Sequence, residues 1–207
     1  MSDATPVLHA GPLILRLLRP GDANTLCWLA ADKRIAAATI SIPHPYTHDH
    51  AASFIQHAQQ EHEKRGSAIF AMTWVLSDDS PARTKANKIG APSALHGACL
   101  VADEAHAELV GTVSLVRQTG ENAAELGYWV GVPYWGQGFA QLAARAILDY
   151  AFGTLKLASV RATCFANNGA SSRVLAKVGM HREKVLERSR EKWGIFQDEE
   201  LWVIEAA

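Results

Sequence analysis

Residues 128–140 read YWVGVPYWGQGFA, from Tyr128 to Ala140, and put two glycines between a strand and a helix. The strand runs from Glu125 to Val132, a stretch rich in aromatic and β-branched residues. Beyond the glycines, Leu142, Ala143, Ala146, Ile147, Tyr150 and Ala151 recur at helical spacing, and Gly153 stops the helix. Such a helix start presents unpaired backbone N–H groups and the positive end of the helix dipole, so the turn suits an anion such as phosphate. Gly136 and Gly138 carry no Cβ to keep a ligand away. Two familiar phosphate loops are excluded by their letters. A dinucleotide turn needs a third Gly or Ala where Gln141 stands, and no acid ends a following strand about twenty residues on. An ATP-type loop needs Lys directly after its last glycine, where Phe139 stands.

Outward from that turn, the chain alternates strand and helix patterns. Leu13 to Leu17 is an apolar run, and Arg19-Pro20-Gly21-Asp22 makes a turn in which Asp22 caps a helix carrying Leu26 and Leu29. Pro43 and Pro45 forbid regular structure from Ile40 to Tyr46, after which Thr47 caps a second helix with Ala51, Phe54, Ile55 and Ala58 on its apolar face. That helix ends near Gly66. Ala68 to Leu76 and Glu108 to Val116 are neighbouring strands. Ser159 to Phe165 alternates as a half-buried strand, and Asn167-Asn168 caps a short helix through Leu175 and Val178 that Gly179 ends. Two last strands lie around Val185 and from Leu201 to Ile204. The order βα-α-ββ-β-α-β-α-β-β predicts a mixed α/β (α+β-like) architecture. A chain of 207 residues, 48% of them hydrophobic, fills one core, so a single domain over 1–207 is expected. Residues 77–107 far exceed the usual connection of about 4–6 residues and form either a surface insertion or a lid over the site.

Composition narrows the partners. A formal charge of -1 with acids and bases interspersed makes no electrostatic case for nucleic acid or an anionic membrane. No apolar run approaches the roughly 20 residues that cross a bilayer, and the N-terminus lacks a signal pattern, so a cytoplasmic protein is expected. Cys27, Cys99 and Cys164 lie far apart, without the spacing of a disulfide framework or a zinc site. His44, His48, His50, His57 and His62 crowd one region, but only His44 and His48 lie four apart, in a proline-broken loop, and no metal is expected.

The segment Trp135-Gly136-Gln137-Gly138-Phe139-Ala140 resembles the Q/R-x-x-G-x-G/A pyrophosphate loop of the GNAT superfamily of acyl-CoA-dependent N-acetyltransferases. Trp stands where Gln or Arg is usual, and this departure is typical of the RimJ/RimL-like branch, with its pattern EIGYWxxPxYWGxGYA. Here Glu125-Leu126-Gly127-Tyr128-Trp129-Val130 and Pro133 to Ala140 supply the corresponding letters. A second block, Asn168 to Met180, is similar to the branch's N-x-x-S-x-x-x-L-x-K-x-G-F, with Met180 replacing Phe. PHPYTHDHAASFI, from Pro43 to Ile55, is like the branch's loop before its second helix. The resemblance covers about Leu13 to Ile204, apart from 77–107.

It implies a central, mostly antiparallel sheet splayed at one parallel strand pair and flanked by about four helices. It also implies acetyl-CoA as co-substrate, with no metal. Trp129, Val130 and Val132 would give main-chain hydrogen bonds to the pantetheine arm. Amides from Gly136, Gln137, Gly138, Phe139 and Ala140 would hold the pyrophosphate. Glu125 is the implied base, against the alternative of a solvated strand-end charge. Ser171 would donate a proton towards the sulfur and Asn168 would bind pantetheine, unless both only cap a helix. The expected acceptor is a primary amine, on a protein N-terminus or a small molecule, and the expected assembly a monomer or homodimer. The rival from another class is an acyl-CoA-binding module without turnover.

Overall fold

The computed structural model describes residues 6–75 and 107–206. Eight strands form one sheet in the order β1-β2-β3-β4-β5-β6-β8-β7. They are β1 (Leu8–Ala10), β2 (Leu13–Leu17), β3 (Ala68–Val75), β4 (Ala107–Arg117), β5 (Ala123–Val130), β6 (Ser159–Phe165), β7 (His181–Lys192) and β8 (Ile195–Glu205). Five α-helices accompany them among the described residues: α1 (Ala23–Ala30), α2 (Lys33–Ala38), α3 (His48–Arg65), α4 (Phe139–Gly153) and α5 (Gly169–Lys177). The expectation for 77–107 falls almost wholly outside the described residues. What is described is the mouth of that segment, where Val75 pairs with Ala107 across the β3–β4 ladder and the chain returns to where it left.

Every pair of neighbouring strands is antiparallel except β5 and β6, which run parallel and pair at only three positions: Ala123 with Ser159, Ala124 with Val160 and Glu125 with Arg161. Past Glu125, β5 stays with β4 and β6 stays with β8. The sheet therefore divides into two ladders joined at one end. Helix α4 packs across β1, β2, β4 and β5, with Tyr150 edge-on to Phe70, while α1 and α3 pack together against β3 and β4 on the other face. One apolar cluster, including the fully buried Leu13, Leu15, Phe70, Met72, Leu115 and Ile147, joins these layers.

Local signals account for the helix ends. Thr47 Oγ1 accepts from the His50 N–H, and Gly66 closes α3 in the left-handed conformation at φ 63°. Asp22 corrects its expected role. It stands before α1 without capping it, because its carboxylate takes both Arg16 guanidinium nitrogens at 2.8 Å and the Arg19 N–H at 2.8 Å. Two elements had no reading in the sequence. β1 is three residues long, and α2 is a single short helix started by Asp32, whose Oδ1 accepts from the Arg34 N–H at 2.9 Å. β5 also ends earlier than expected, at Val130. Pro133, which has no N–H for a ladder, sits in a 3₁₀ turn over Val132–Tyr134.

Helix α5, which carries the second motif, is seated by a buried carboxylate. Glu200 Oε2 accepts from Ser172 Oγ on α5 at 2.7 Å and from Trp202 Nε1 at 3.0 Å, and Oε1 accepts from Arg182 at 2.6 Å. Burial pushes the Glu200 carboxyl up, but the bonds from Ser172, Arg182 and Trp202 outweigh it and hold it below the usual range. A carboxyl depressed in the folded state stabilises the fold above its unfolded pKa and loses that contribution as pH falls through the folded value. Glu200→Gln is therefore expected to lower the unfolding free energy at neutral pH by about 2 kcal/mol. In urea melts the gap from the unsubstituted chain should close below the ordinary glutamate pKa.

Candidate active site

Where β5 and β6 part, a cavity of about 1220 Å³ opens through the sheet. Its banks are Glu125 to Val130 on β5 and Ala162 to Cys164 on β6, and α3, α4, α5 and residues 38–43 supply further lining. The β5 bank presents free backbone to the cavity. Gln118 N–H donates to Ala123 O and Gly131 N–H donates to Val110 O, and the register with β4 is unbroken between them. Glu125, Gly127 and Trp129 therefore direct their main-chain groups to β4, and Leu126, Tyr128 and Val130 direct theirs into the split. Of the three residues expected to offer main chain there, Val130 faces the split, Trp129 faces β4, and Val132 lies beyond the strand. The Val130 carbonyl already accepts from Trp135 Nε1 at 2.6 Å. That bond gives the tryptophan at this loop position a structural task.

The glycine turn continues from this bank. Gly136 and Gly138 adopt φ 80° and 77°, and a Cβ on either would meet nothing within 4 Å. Left-handed backbone, rather than crowding, is what demands glycine here. Gly136, Gln137 and Gly138 are exposed, whereas Phe139 is buried against Trp74 with ring centroids 5.1 Å apart and anchors the start of α4. Leu142 N–H reaches the Gly138 carbonyl, so the amides just before it belong to the set a helix start leaves without an intrahelical partner. Arg173 and Lys177 of α5 line the same cavity and add positive charge.

Strand alternation sends Glu125 and Tyr128 to opposite faces of the sheet. Glu125 lines the cavity and is the single acid among its described lining residues. Burial by the cavity walls pushes its carboxyl up, the Glu199 charge adds to that, and Arg190 opposes it. Glu199 is 2% exposed; its Oε2 accepts from Ser189 Oγ at 2.8 Å, and its Oε1 lies 3.5 Å from Arg190 Nε. On the other face, the Tyr128 hydroxyl is 2.8 Å from Ser171 Oγ, and burial pushes its phenol well above the ordinary value, which keeps it protonated. Ser171 is thus met by a second hydroxyl, to which the sequence reading gave no chemical role. Asn168 caps α5, its Oδ1 accepting from the Ser171 N–H at 3.2 Å, while its Nδ2 donates to Ala38 O at 3.1 Å. Both ends of its amide are engaged within the protein.

The histidines disperse. His50 and His57 line the cavity from α3, and His62 Nδ1 lies 3.1 Å from Ser67 O. Among the described residues no three His, Cys, Asp or Glu side chains gather as metal ligands, and no helix is long and apolar enough to cross a membrane. No motif carried a signal for Glu199 and Arg190, because they come from the far ladder, where Arg190 lines the cavity and the buried Glu199 acts on Glu125 through its charge.

Residues 12–181 match the family model described as an acetyltransferase (GNAT) domain. Bacillus subtilis YnaD, an uncharacterized N-acetyltransferase, is 34% identical over 96 residues, 46% of this chain and 56% of its own. The chain thus spans about half the length of the curated relatives it matches. Among solved structures, Mycobacterium smegmatis RimJ in complex with CoA-disulfide superposes with a TM-score of 0.73 at 22% identity, covering 98% of this chain and 87% of that one. RimL, a ribosomal L7/L12 alpha-N-protein acetyltransferase in complex with coenzyme A, gives 0.75 at 15% identity, covering 97% and 98%. The fold is the mixed α/β GNAT fold, open at its one parallel strand pair.

A carbon-13 NMR titration of labelled glutamate side chains reads the cavity's electrostatics without any ligand. Glu125 is expected to titrate above the ordinary glutamate pKa. Glu199→Gln should move that midpoint down and Arg190→Gln should move it up. An unshifted Glu125 midpoint in all three proteins would contradict the placement.

Proposed function

Since the chain belongs to the GNAT acetyltransferase family, we propose that it transfers an acetyl group from acetyl-CoA to a primary amine by direct attack in a ternary complex. The observation that carries this reading is the split itself, whose unpaired β5 edge leads through one 3₁₀ turn to a glycine turn at a helix N-terminus. The main-chain groups of Leu126, Tyr128 and Val130 are suited to hold an extended pantetheine arm as a further strand. The amides around Gly136, Gln137, Gly138, Phe139 and Ala140 are suited to its pyrophosphate. RimJ and RimL, which share the fold, were solved with CoA bound. That supports the same co-substrate here.

The two faces of β5 divide the chemistry. Glu125, on the acceptor side, takes a proton from the ammonium, directly or through water, and passes it on to solvent; its raised proton affinity makes it a better acceptor than an ordinary carboxylate. The neutral amine nitrogen attacks the thioester carbon. A backbone N–H near Val130 polarises the carbonyl oxygen. As the C–S bond breaks, the Tyr128 and Ser171 hydroxyls on the opposite face pass a proton to the departing thiolate and are reprotonated from solvent, while the nitrogen gives its second proton to solvent as it becomes the amide. A free α-amine has a pKa near 7.7–8.0 against about 10.4 for lysine, so an N-terminal or weakly basic amine asks least of Glu125. RimL's α-N-protein acetylation supports an acceptor of that kind. A cytosolic setting, with Cys27 and Cys164 as free thiols, agrees with this role.

Acetyl-CoA at a hundred times its Kd is expected to stabilise the native state by about 2.7 kcal/mol, read as a rise in Tm. No rise at any concentration would end the reading. With an amine that releases CoA, Glu125→Gln should lower kcat by at least about a hundredfold at unchanged acetyl-CoA affinity. If acetyl-CoA binds and no amine from a broad panel of N-terminal peptides, polyamines and aminoglycosides releases CoA, the chain is a binding module instead. Gly138→Ala, which forces an alanine into left-handed backbone, should cost about 1–2 kcal/mol of stability and weaken acetyl-CoA binding.

A further inference from the structure

Residues 38–42 link α2 to the proline loop before α3, and they belong by chain position to the ladder that ends at β5. They are nonetheless fastened to the other ladder. Lys192, the last residue of β7, donates from Nζ to the carbonyls of Thr39 at 2.9 Å, Ile40 at 3.2 Å and Ile42 at 2.8 Å. An ammonium has three N–H donors, and these three carbonyls use all of them. Asn168, the cap of α5, adds its bond to the Ala38 carbonyl. Lys33, at the start of α2, lies 5.4 Å from the centroid of the Trp193 ring next to Lys192, a further contact between the same two parts. The β5–β6 ladder joins the two halves of the sheet only at Ala123 to Glu125. The 38–42 segment is therefore a strap across the end where the strands have parted, and Thr39, Ile40, Ser41 and Ile42 all line the cavity that Glu125 also lines.

We propose that Lys192 is a positioning residue for the acceptor amine: its ammonium, bound to three strap carbonyls, holds residues 39–42 as the wall against which the acceptor is placed. This rests on the reading of the cavity as an acyl-transfer site. Lys192 does not touch the cavity itself, and its effect passes through the strap. Such a residue changes how well the acceptor is held and leaves the thioester end of the site, on α4 and the β5 edge, as it was. The geometry also separates charge from bulk. Met can fill the space of the lysine stem but cannot donate, whereas Arg keeps a charged donor whose planar fork fits three converging carbonyls less well.

The test compares Lys192→Met and Lys192→Arg with the unsubstituted protein, each checked for an unchanged far-ultraviolet spectrum. The acceptor probe is whichever of Ala-Ala-Ala amide, spermidine and tryptamine releases CoA fastest. Calorimetry gives the acetyl-CoA Kd, and hydrogen exchange by mass spectrometry follows residues 38–42. Lys192→Met is expected to raise the acceptor KM by at least about tenfold, the scale of losing hydrogen bonds to a charged donor. The acetyl-CoA Kd and kcat should stay unchanged and exchange should quicken within 38–42, with Arg recovering part of the KM. An unchanged KM, or an acetyl-CoA Kd that rises as much as KM, overturns the proposal. If the unsubstituted protein binds acetyl-CoA but turns over none of the three amines, the acyl-transfer reading fails separately. Exchange then decides for the strap: quickening confined to 38–42 upholds the clamp, and unaltered exchange in Lys192→Met overturns it.

Discussion

Three residue pairs between β5 and β6 govern this molecule. A parallel ladder that stops after Glu125 and Arg161 leaves backbone on the inner edges of both strands without a strand partner. Such groups are costly to bury unless something pairs with them. The protein meets this cost by keeping the split open to a cavity of about 1220 Å³. Everything else that bears on function is arranged around that unpaired edge. The glycine turn follows from its end, α5 leans over it through Tyr128 and Ser171, and the strap closes the side where the ladders have moved apart.

The same edge explains why acid–base groups are found on both sides of the sheet. Strand geometry sends Glu125 one way and Tyr128 the other, so a single strand contributes a carboxylate to one wall and a phenol to the opposite wall. Their surroundings differ in kind. Burial raises the proton affinity of Glu125, the Glu199 carboxylate of the far ladder adds to that, and Arg190 opposes it. Tyr128 is enclosed and stays protonated. A base and a donor thus arise from one short segment, separated by the sheet.

Much of this was legible in the chain. The caps at Thr47 and Asn168, the left-handed glycine ends at Gly66 and Gly179, and the strand-turn-helix at 125–153 are local events decided by backbone preference within a few residues. Family resemblance then pointed to the split. Asp22 shows the limit of such reading: it has the right type and place for a cap, yet Arg16, six residues back, claims its carboxylate. β1 and α2 were illegible because three residues, or the six from Lys33 to Ala38, carry too little periodicity to count.

By itself, then, the sequence determined the order of the longer elements, the glycine turn that opens α4 and the alternation of residues along β5, because these depend on neighbours in the chain. Tertiary structure alone decided which main-chain groups of β5 remain free. It alone set Glu199 and Arg190 beside Glu125 and put Lys192 at the carbonyls of 39–42. Each of these joins residues from different ladders or different strands. Their meeting depends on how far the parallel pairing runs before the sheet parts, a length that no local pattern encodes.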